Sequence, residues 1–337
     1  MDRVLEIPIV HCFDDNYSAP AAVAFLTMLE NASPDAFYKI YVIHNDISEK
    51  HREMLSEIVG RFSNASLIFI VPDVDVSAMW RRVGSKGHFS KDIICKLLIA
   101  DIFPTVNRII VADVDVVYRD DIGKVYRQFL SNGQDYIYGS NYGREVTPSK
   151  WLKQLYATAY NGFSESETSA LKDGVGAGFM VYNLDLMRKD GIPKKALEFF
   201  LSNANRIWQP EQDTLNIICK GRIAYMPPEA LVCTYLFDVL NEDEKACWQY
   251  ALDHPIQLHY ATASKPWIMP NTTMSHFWWS AIARTPFFYE VAPSLSAQVR
   301  KEKFGLFWGT LPLVKIWHIG TVKKVSLLGI ISLAKRK

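Results

Sequence analysis

The sequence predicts an open α/β fold: a mostly parallel sheet with helices packed on both faces. Two observations carry that expectation. Apolar runs of strand length alternate with helical periods through the first two-thirds of the chain, and 337 residues, 49% of them hydrophobic and 22% charged, can bury a large core.

The elements follow in order. "EIPIVHCF" reads as a strand, and "SAPAAVAFLTMLENA" as a helix opening at Ser18. "YKIYVIHN" is a second strand, "SEKHREMLSEIVGRF" an amphipathic helix capped by Ser48, and "SLIFIV" a third strand. "KDIICKLLIADIF" gives a further helix closed by Pro104, and "NRIIVADVDVV" supplies the next strand. Residues 81–90, "RRVGSKGHFS", form a Gly-, Ser- and base-rich loop, a candidate lid. Beyond about residue 270 the alternation gives way to aromatic and proline-rich sequence.

Charge and cysteine usage narrow the class. The 37 basic and 36 acidic residues leave a net charge of +1, so no overall field draws nucleic acid to the protein. Cys12, Cys95, Cys219, Cys233 and Cys247 are odd in number and scattered, which argues against both a disulfide framework and a zinc knuckle. The opening "MDRVLEIPIVHCFDD" lacks the apolar stretch of a secretory signal, so a cytoplasmic location is expected.

The run "IIVADVDVVYRDD" carries the first chemical signal. Residues two apart in an extended segment share a face, so Asp113 and Asp115 form a chelating pair while Val114 returns to the core. Ligands of open parallel sheets gather at the carboxyl ends of strands, where paired carboxylates suit a hard divalent cation. A hydrophobic strand followed by D-x-D also fits the haloacid dehalogenase phosphatases, whose first aspartate is a nucleophile. Against that stands the βα winding of some hundred residues that precedes the motif here.

Three further stretches accompany the pair: "CFDDNYS" at 12–18, "QPEQDTLN" at 209–216 and "HYATASKPW" at 259–267. Together with the D-x-D, over roughly residues 5–290, they resemble the retaining glycosyltransferases of family 8. That group includes bacterial lipopolysaccharide galactosyl- and glucosyltransferases and glycogenin. The resemblance implies a GT-A fold, a Rossmann-like nucleotide-binding sheet, over residues 1–270, followed by a C-terminal helical extension over 271–337. It implies a metal site of Asp113, Asp115 and His259, for manganese with magnesium as the alternative, beneath the diphosphate of a UDP-sugar. An imidazole beside two carboxylates favours the transition ion.

The same resemblance places Asp14 and Asn16 on the uracil and ribose, Tyr17 on the base, and Lys265 on the phosphate. Cys12, Lys96, Val114, Ala177, Glu211 and Thr262 complete the implied donor contacts, and Gln212, Asp213 and Lys265 the catalytic group. Several positions depart from the family pattern: Lys96 stands for an arginine, Gly176 for an asparagine, Glu211 for an aspartate and Thr262 for a glycine. The implied reaction moves galactose or glucose from a UDP-hexose to a glycan or lipid-linked acceptor with retention, forming an α linkage. A sugar-nucleotide-binding protein without catalysis is the remaining alternative.

The tail "LPLVKIWHIGTVKKVSLLGIISLAKRK" is apolar and cationic, with no acidic residue after Glu302. Its longest apolar stretch, "VSLLGIISLA", is about half of the roughly 20 residues that span a bilayer, so peripheral association with an anionic membrane is expected.

Overall fold

The computed structural model describes residues 4–83, 91–141, 162–261 and 263–299, and then the strands 302–308, 311–319, 322–327 and 331–336. Most of the candidate lid, residues 84–90, and Thr262 lie outside the described residues.

Strand β1 (Leu5–Cys12) leads through a short turn into helix α1 (Ser18–Glu30), which is followed by β2 (Ala36–Ile43), α2 (Glu49–Val59) and β3 (Ala65–Ile70). After α3 (Val76–Val83) and α4 (Cys95–Ile102) come β4 (Arg108–Ala112), β5 (Val116–Tyr118), α5 (Gly123–Phe129) and β6 (Ile137–Ser140). Strands β7 (Phe179–Asn183) and β8 (Ile223–Met226) complete a seven-stranded sheet in the order β3-β2-β1-β4-β7-β6-β8. The four strands from β3 to β4 are parallel, and β6 pairs parallel with β8. Only β7 runs against both of its neighbours. The expected mostly parallel sheet is therefore present, with one reversed strand in its interior.

Alternation along the strands divides the core in two. Ile110 and Ala112 of β4 pack with α1 and α2 on one face, whereas Ile109 and Val111 pack with α4 and the helix Ile192–Asn203 on the other. Both sets are fully buried, which explains why β4 reads as a continuous apolar run. Helix α1 is apolar on nearly every side because it lies between the sheet and the helix Ser275–Ile282, with Trp278, Ala281 and Ile282 in the same core.

The ends of the chain depart from expectation. Trp278 and Phe287 are fully buried in the first core, so packing runs past the expected boundary at 270. The helical extension also ends sooner than expected: after the helices Ser275–Ile282 and Phe288–Val299 the chain forms four antiparallel strands, β11 to β14, Glu302–Trp308, Leu311–Ile319, Val322–Leu327 and Ile331–Arg336. Runs such as "LPLVKIWHI" and "VKKVSL" are rich in β-branched and aromatic residues, which favour strand over helix.

A second, three-stranded sheet does the work of site assembly. In it β10 (Gln257–His259) lies between β5, to which it is antiparallel, and β9 (Val232–Cys233), to which it is parallel.

Candidate active site

Strands β1 and β4 are parallel neighbours, so their carboxyl ends open on one edge, where the chain turns to β2 on one side and to the rest of the sheet on the other. Such a switch point leaves a crevice for a ligand. The β4 end bends through Asp113 to Asp115 before β5 begins. Asp113 N–H donates to the Gly178 carbonyl at 3.0 Å, and the Asp115 carbonyl accepts from Tyr260 N–H at 2.9 Å. Register then sets the imidazole: His259 sits opposite Val116 on β5 and Cys233 on β9, one residue from Asp115. His259 Nε2 comes to 3.1 Å from Asp115 Oδ1 and 3.5 Å from Asp113 Oδ2.

The three residues offer ligand atoms that all lie within 4.8 Å of one another. Two carboxylate oxygens and one imidazole nitrogen suit a divalent first-row ion, so the residues present fit the expected metal. Burial alone would lower the His259 pKa; the Asp115 carboxylate outweighs it and raises the value to about 10. The neighbouring carboxylate thus favours the protonated ring, and metal ligation would displace that proton.

Two buried lysines flank the carboxylates. Lys265 donates to Asp115 Oδ2, and to the Tyr260 carbonyl at 2.6 Å. Burial opposes the Asp115 charge, but Lys265 and His259 hold its carboxyl well below the usual range. Lys96, only 2% exposed, donates to Asp113 Oδ1, to the Ala177 carbonyl at 3.3 Å and to Glu211 Oε1 at 3.4 Å. An ammonium group has three N–H donors, and all three are accounted for inside the protein. Lys96 therefore braces the acidic end of β4 and the helix Pro210–Ile218.

That helix brings the amide. Gln212 Oε1 accepts from Ala177 N–H at 2.9 Å, which fixes the side chain against the segment entering β7. Glu211 is buried, its carboxyl pKa raised by burial, and its Oε2 has no hydrogen-bond partner among the described residues. Asp213, expected in the catalytic group, accepts from the backbone N–H of Trp208 and Gln209 at 3.0 and 2.9 Å. It positions the turn that carries Glu211 and Gln212.

On the β1 side, Asp14 accepts from Asn16 N–H at 3.1 Å and caps the short turn of residues 15–17. Tyr17 meets Trp267 edge to face with centroids 6.1 Å apart, which joins the first motif to the "KPW" of the last. Cys12 ends β1 half-buried, Asn16 is exposed, and Val114 is buried as expected.

Sequence reasoning missed several supports. His11 lies under the site, its Nδ1 2.9 Å from the Ala112 carbonyl, with burial lowering its pKa to about 4. Cys233 Sγ lies 4.0 Å from His259 Nδ1. Asn216 accepts from Val175 N–H at 2.8 Å and donates to the Val175 carbonyl at 3.0 Å. Gly178 packs so closely on His259 that a Cβ there would stand 2.5 Å from the ring. Of these only Asn216 falls in a stretch whose motif draws attention, and that motif does not indicate the partner.

A doubly wound sheet with an acidic pair and an imidazole at its carboxyl edge, backed by buried lysines, defines the scaffold as a GT-A glycosyltransferase fold. The chain belongs to glycosyl transferase family 8, whose description it matches over residues 8–269. General stress protein A of Bacillus subtilis (strain 168) is 22% identical over 276 residues, covering 80% of this chain and 88% of that protein. The lipopolysaccharide 1,2-glucosyltransferase of Escherichia coli (strain K12) is 23% identical over 164 residues, covering 48% of this chain and 45% of that enzyme. Among solved structures, the galactosyltransferase LgtC in complex with donor and acceptor sugar analogs superposes with a TM-score of 0.65 at 20% identity, over 85% of this chain and all of that one. The WbbM bifunctional glycosyltransferase gives 0.68 at 20% identity, over 87% of this chain and 52% of that chain. The haloacid dehalogenase reading finds no support, since the matched family is another and Asp113 and Asp115 are engaged by lysines and an imidazole.

Proposed function

We propose that this chain transfers a hexose, galactose or glucose, from a UDP-sugar to a hydroxyl of a glycan acceptor with retention, forming an α linkage. The observation that carries the reading is the convergence of Asp113, Asp115 and His259 between two buried lysines. Asp113, Asp115 and His259 would hold the metal, manganese first and magnesium as the alternative. When bound, the ion would supply positive charge to the leaving diphosphate. Lys265, a compact cation on the same edge, adds to that stabilisation as the bond to the sugar breaks. Asp14, Asn16 and Tyr17 supply the nucleoside contacts, and Glu211 Oε2 is an unused buried acceptor for a donor hydroxyl. The oxygen of Gln212 is already engaged by Ala177 N–H, which favours the amide as an oriented dipole over the amide as nucleophile. No strong base is needed, because the acceptor hydroxyl attacks from the face that UDP leaves and gives its proton to the departing diphosphate oxygen as the bond to the sugar breaks.

A donor panel tests the reading directly. With manganese and a generic glycan, release of the nucleoside diphosphate is expected from UDP-galactose or UDP-glucose and not from guanosine or thymidine diphosphate sugars. Tighter calorimetric binding of either of those than of UDP would overturn it. A binding protein without catalysis would bind UDP and release none from its sugars.

The proposal includes a surface for the acceptor's membrane. No helix among the described residues is long and apolar enough to cross a bilayer. Strand register, however, groups Phe304, Leu306, Val314, Ile316, Val325, Leu327, Ile331 and Leu333 on one face of the C-terminal sheet. His318, Lys323 and Lys335 lie at one end of the same face. An apolar face with a cationic end suits the interface of an anionic leaflet, where each base contributes about 1 kcal/mol. Deleting residues 302–337 is expected to abolish salt-sensitive sedimentation with anionic vesicles and to spare transfer to a soluble acceptor. A cut within the sheet would instead leave an unpaired strand edge. Equal vesicle binding by the full and shortened chains would remove the tail from the proposal.

A further inference from the structure

Outside the site, one cluster of charged groups joins parts of the chain that are far apart in sequence. Asp15 Oδ1 accepts from Ser48 N–H at 2.9 Å, from Ser48 Oγ at 3.0 Å and from His51 Nδ1 at 2.8 Å. The other ring nitrogen, His51 Nε2, lies 3.0 Å from Glu290 Oε2, and Lys50 donates to Glu290 Oε1. The His51 ring also packs on Phe287, with centroids 5.1 Å apart. Asp15 thus ties the loop after β1 to the first turn of α2, and His51 ties both to the helix Phe288–Val299.

We infer that the Asp15–His51–Glu290 bridge is a latch for the nucleotide loop, with His51 as a positioning residue for donor binding. Asp15 stands between Asp14 and Asn16, so the latch rests on the reading of residues 14–17 as nucleoside contacts. Asp14 caps this turn from within, and Tyr17 is held from the other side by Trp267. Among the described residues, Asp15 ties the middle of the turn outward, to the start of α2 and through His51 to the C-terminal helices. Burial works against the Asp15 charge, and the bonds from Ser48 and His51 outweigh it and lower its pKa. Exposed ion pairs of this kind add little to global stability. Their effect falls on the order of the loop, and a loop already in its bound conformation loses less entropy when it takes a ligand.

A donor-binding role predicts a particular split between binding and turnover. His51→Phe keeps the packing on Phe287 and removes both ring nitrogens; His51→Arg keeps polar groups that reach two carboxylates. Calorimetry of UDP with manganese on the full chain should show about fivefold weaker binding for His51→Phe and affinity within twofold of wild type for His51→Arg. KM for the UDP-sugar should rise with kcat little changed. Glu290→Ala should weaken UDP in the same direction by a smaller factor, and it carries the test if His51→Phe does not fold. Tyr17→Ala serves as the control for the nucleoside reading. If Tyr17→Ala weakens UDP while His51→Phe and Glu290→Ala bind it within twofold of wild type, the latch is overturned and the nucleoside reading stands. If Tyr17→Ala also leaves UDP binding unchanged, the nucleoside reading falls and the latch with it.

Discussion

Asp115→Asn is expected to lower metal-dependent UDP release about a thousandfold and to destabilise the fold by about 3 kcal/mol. The loss of turnover follows from removing one of the three candidate ligands and the partner of Lys265. A strand-end carboxylate read from the sequence alone would contribute little to folding. The structure changes that expectation, because Asp115 is 7% exposed and is the shared counter-charge of His259 and Lys265, both also buried. Neutralising it removes the carboxylate paired with Lys265 and leaves His259 with the more distant Asp113 at 3.5 Å, in a low-dielectric setting. Asp113→Asn makes the informative contrast. Asp113 has a more exposed side chain, and its partner Lys96 keeps Glu211, so a similar loss of turnover should come with a smaller loss of stability. Activity assays and thermal melting of the metal-free protein measure the two effects separately. Near-normal turnover in folded Asp115→Asn would refute the ligand assignment, and an unchanged melting temperature would refute the account of its burial.

Gly178→Ala is expected to lower turnover about a hundredfold while touching neither carboxylate nor lysine. A Cβ at this position would lie 2.5 Å from both Cε1 and Nδ1 of His259. The ring cannot yield easily, since Asp115 holds Nε2, Cys233 lies beside Nδ1 and β10 fixes the backbone between two strands. Overpacking of this kind costs about 1–3 kcal/mol, and here the displaced group is a candidate ligand. Weaker manganese binding by electron paramagnetic resonance should accompany the loss. Manganese affinity and turnover equal to wild type would mean that His259 does not need its present position.

Local pattern made much of this protein legible from its residues. The βα winding, the burial of β4 on both faces and the shared edge of Asp113 and Asp115 all follow from periods of two and 3.6 and from where an apolar run stops. The resemblance that those motifs carry gave the family, and the match over residues 8–269 agrees with it.

What the pattern could not determine were relations between residues distant in sequence. Asp115 and His259, 144 positions apart in sequence, meet because β10 pairs antiparallel with β5, a register invisible in either motif. Lys96 reads as a cation facing a donor; only packing reveals that Asp113, Ala177 and Glu211 use all of its hydrogens. Asp213 reads as a catalytic carboxylate; only packing reveals that its Oδ2 also accepts from the backbone N–H of Trp208 and Gln209. Beyond Val299 the β-branched and aromatic runs favour strand locally, but which strand pairs with which is a tertiary relation. The sequence by itself determined which groups reach the edge of the sheet. Tertiary structure decided which of them touch, because hydrogen bonds and charge pairing act over a few ångströms of space, however many residues lie between the partners.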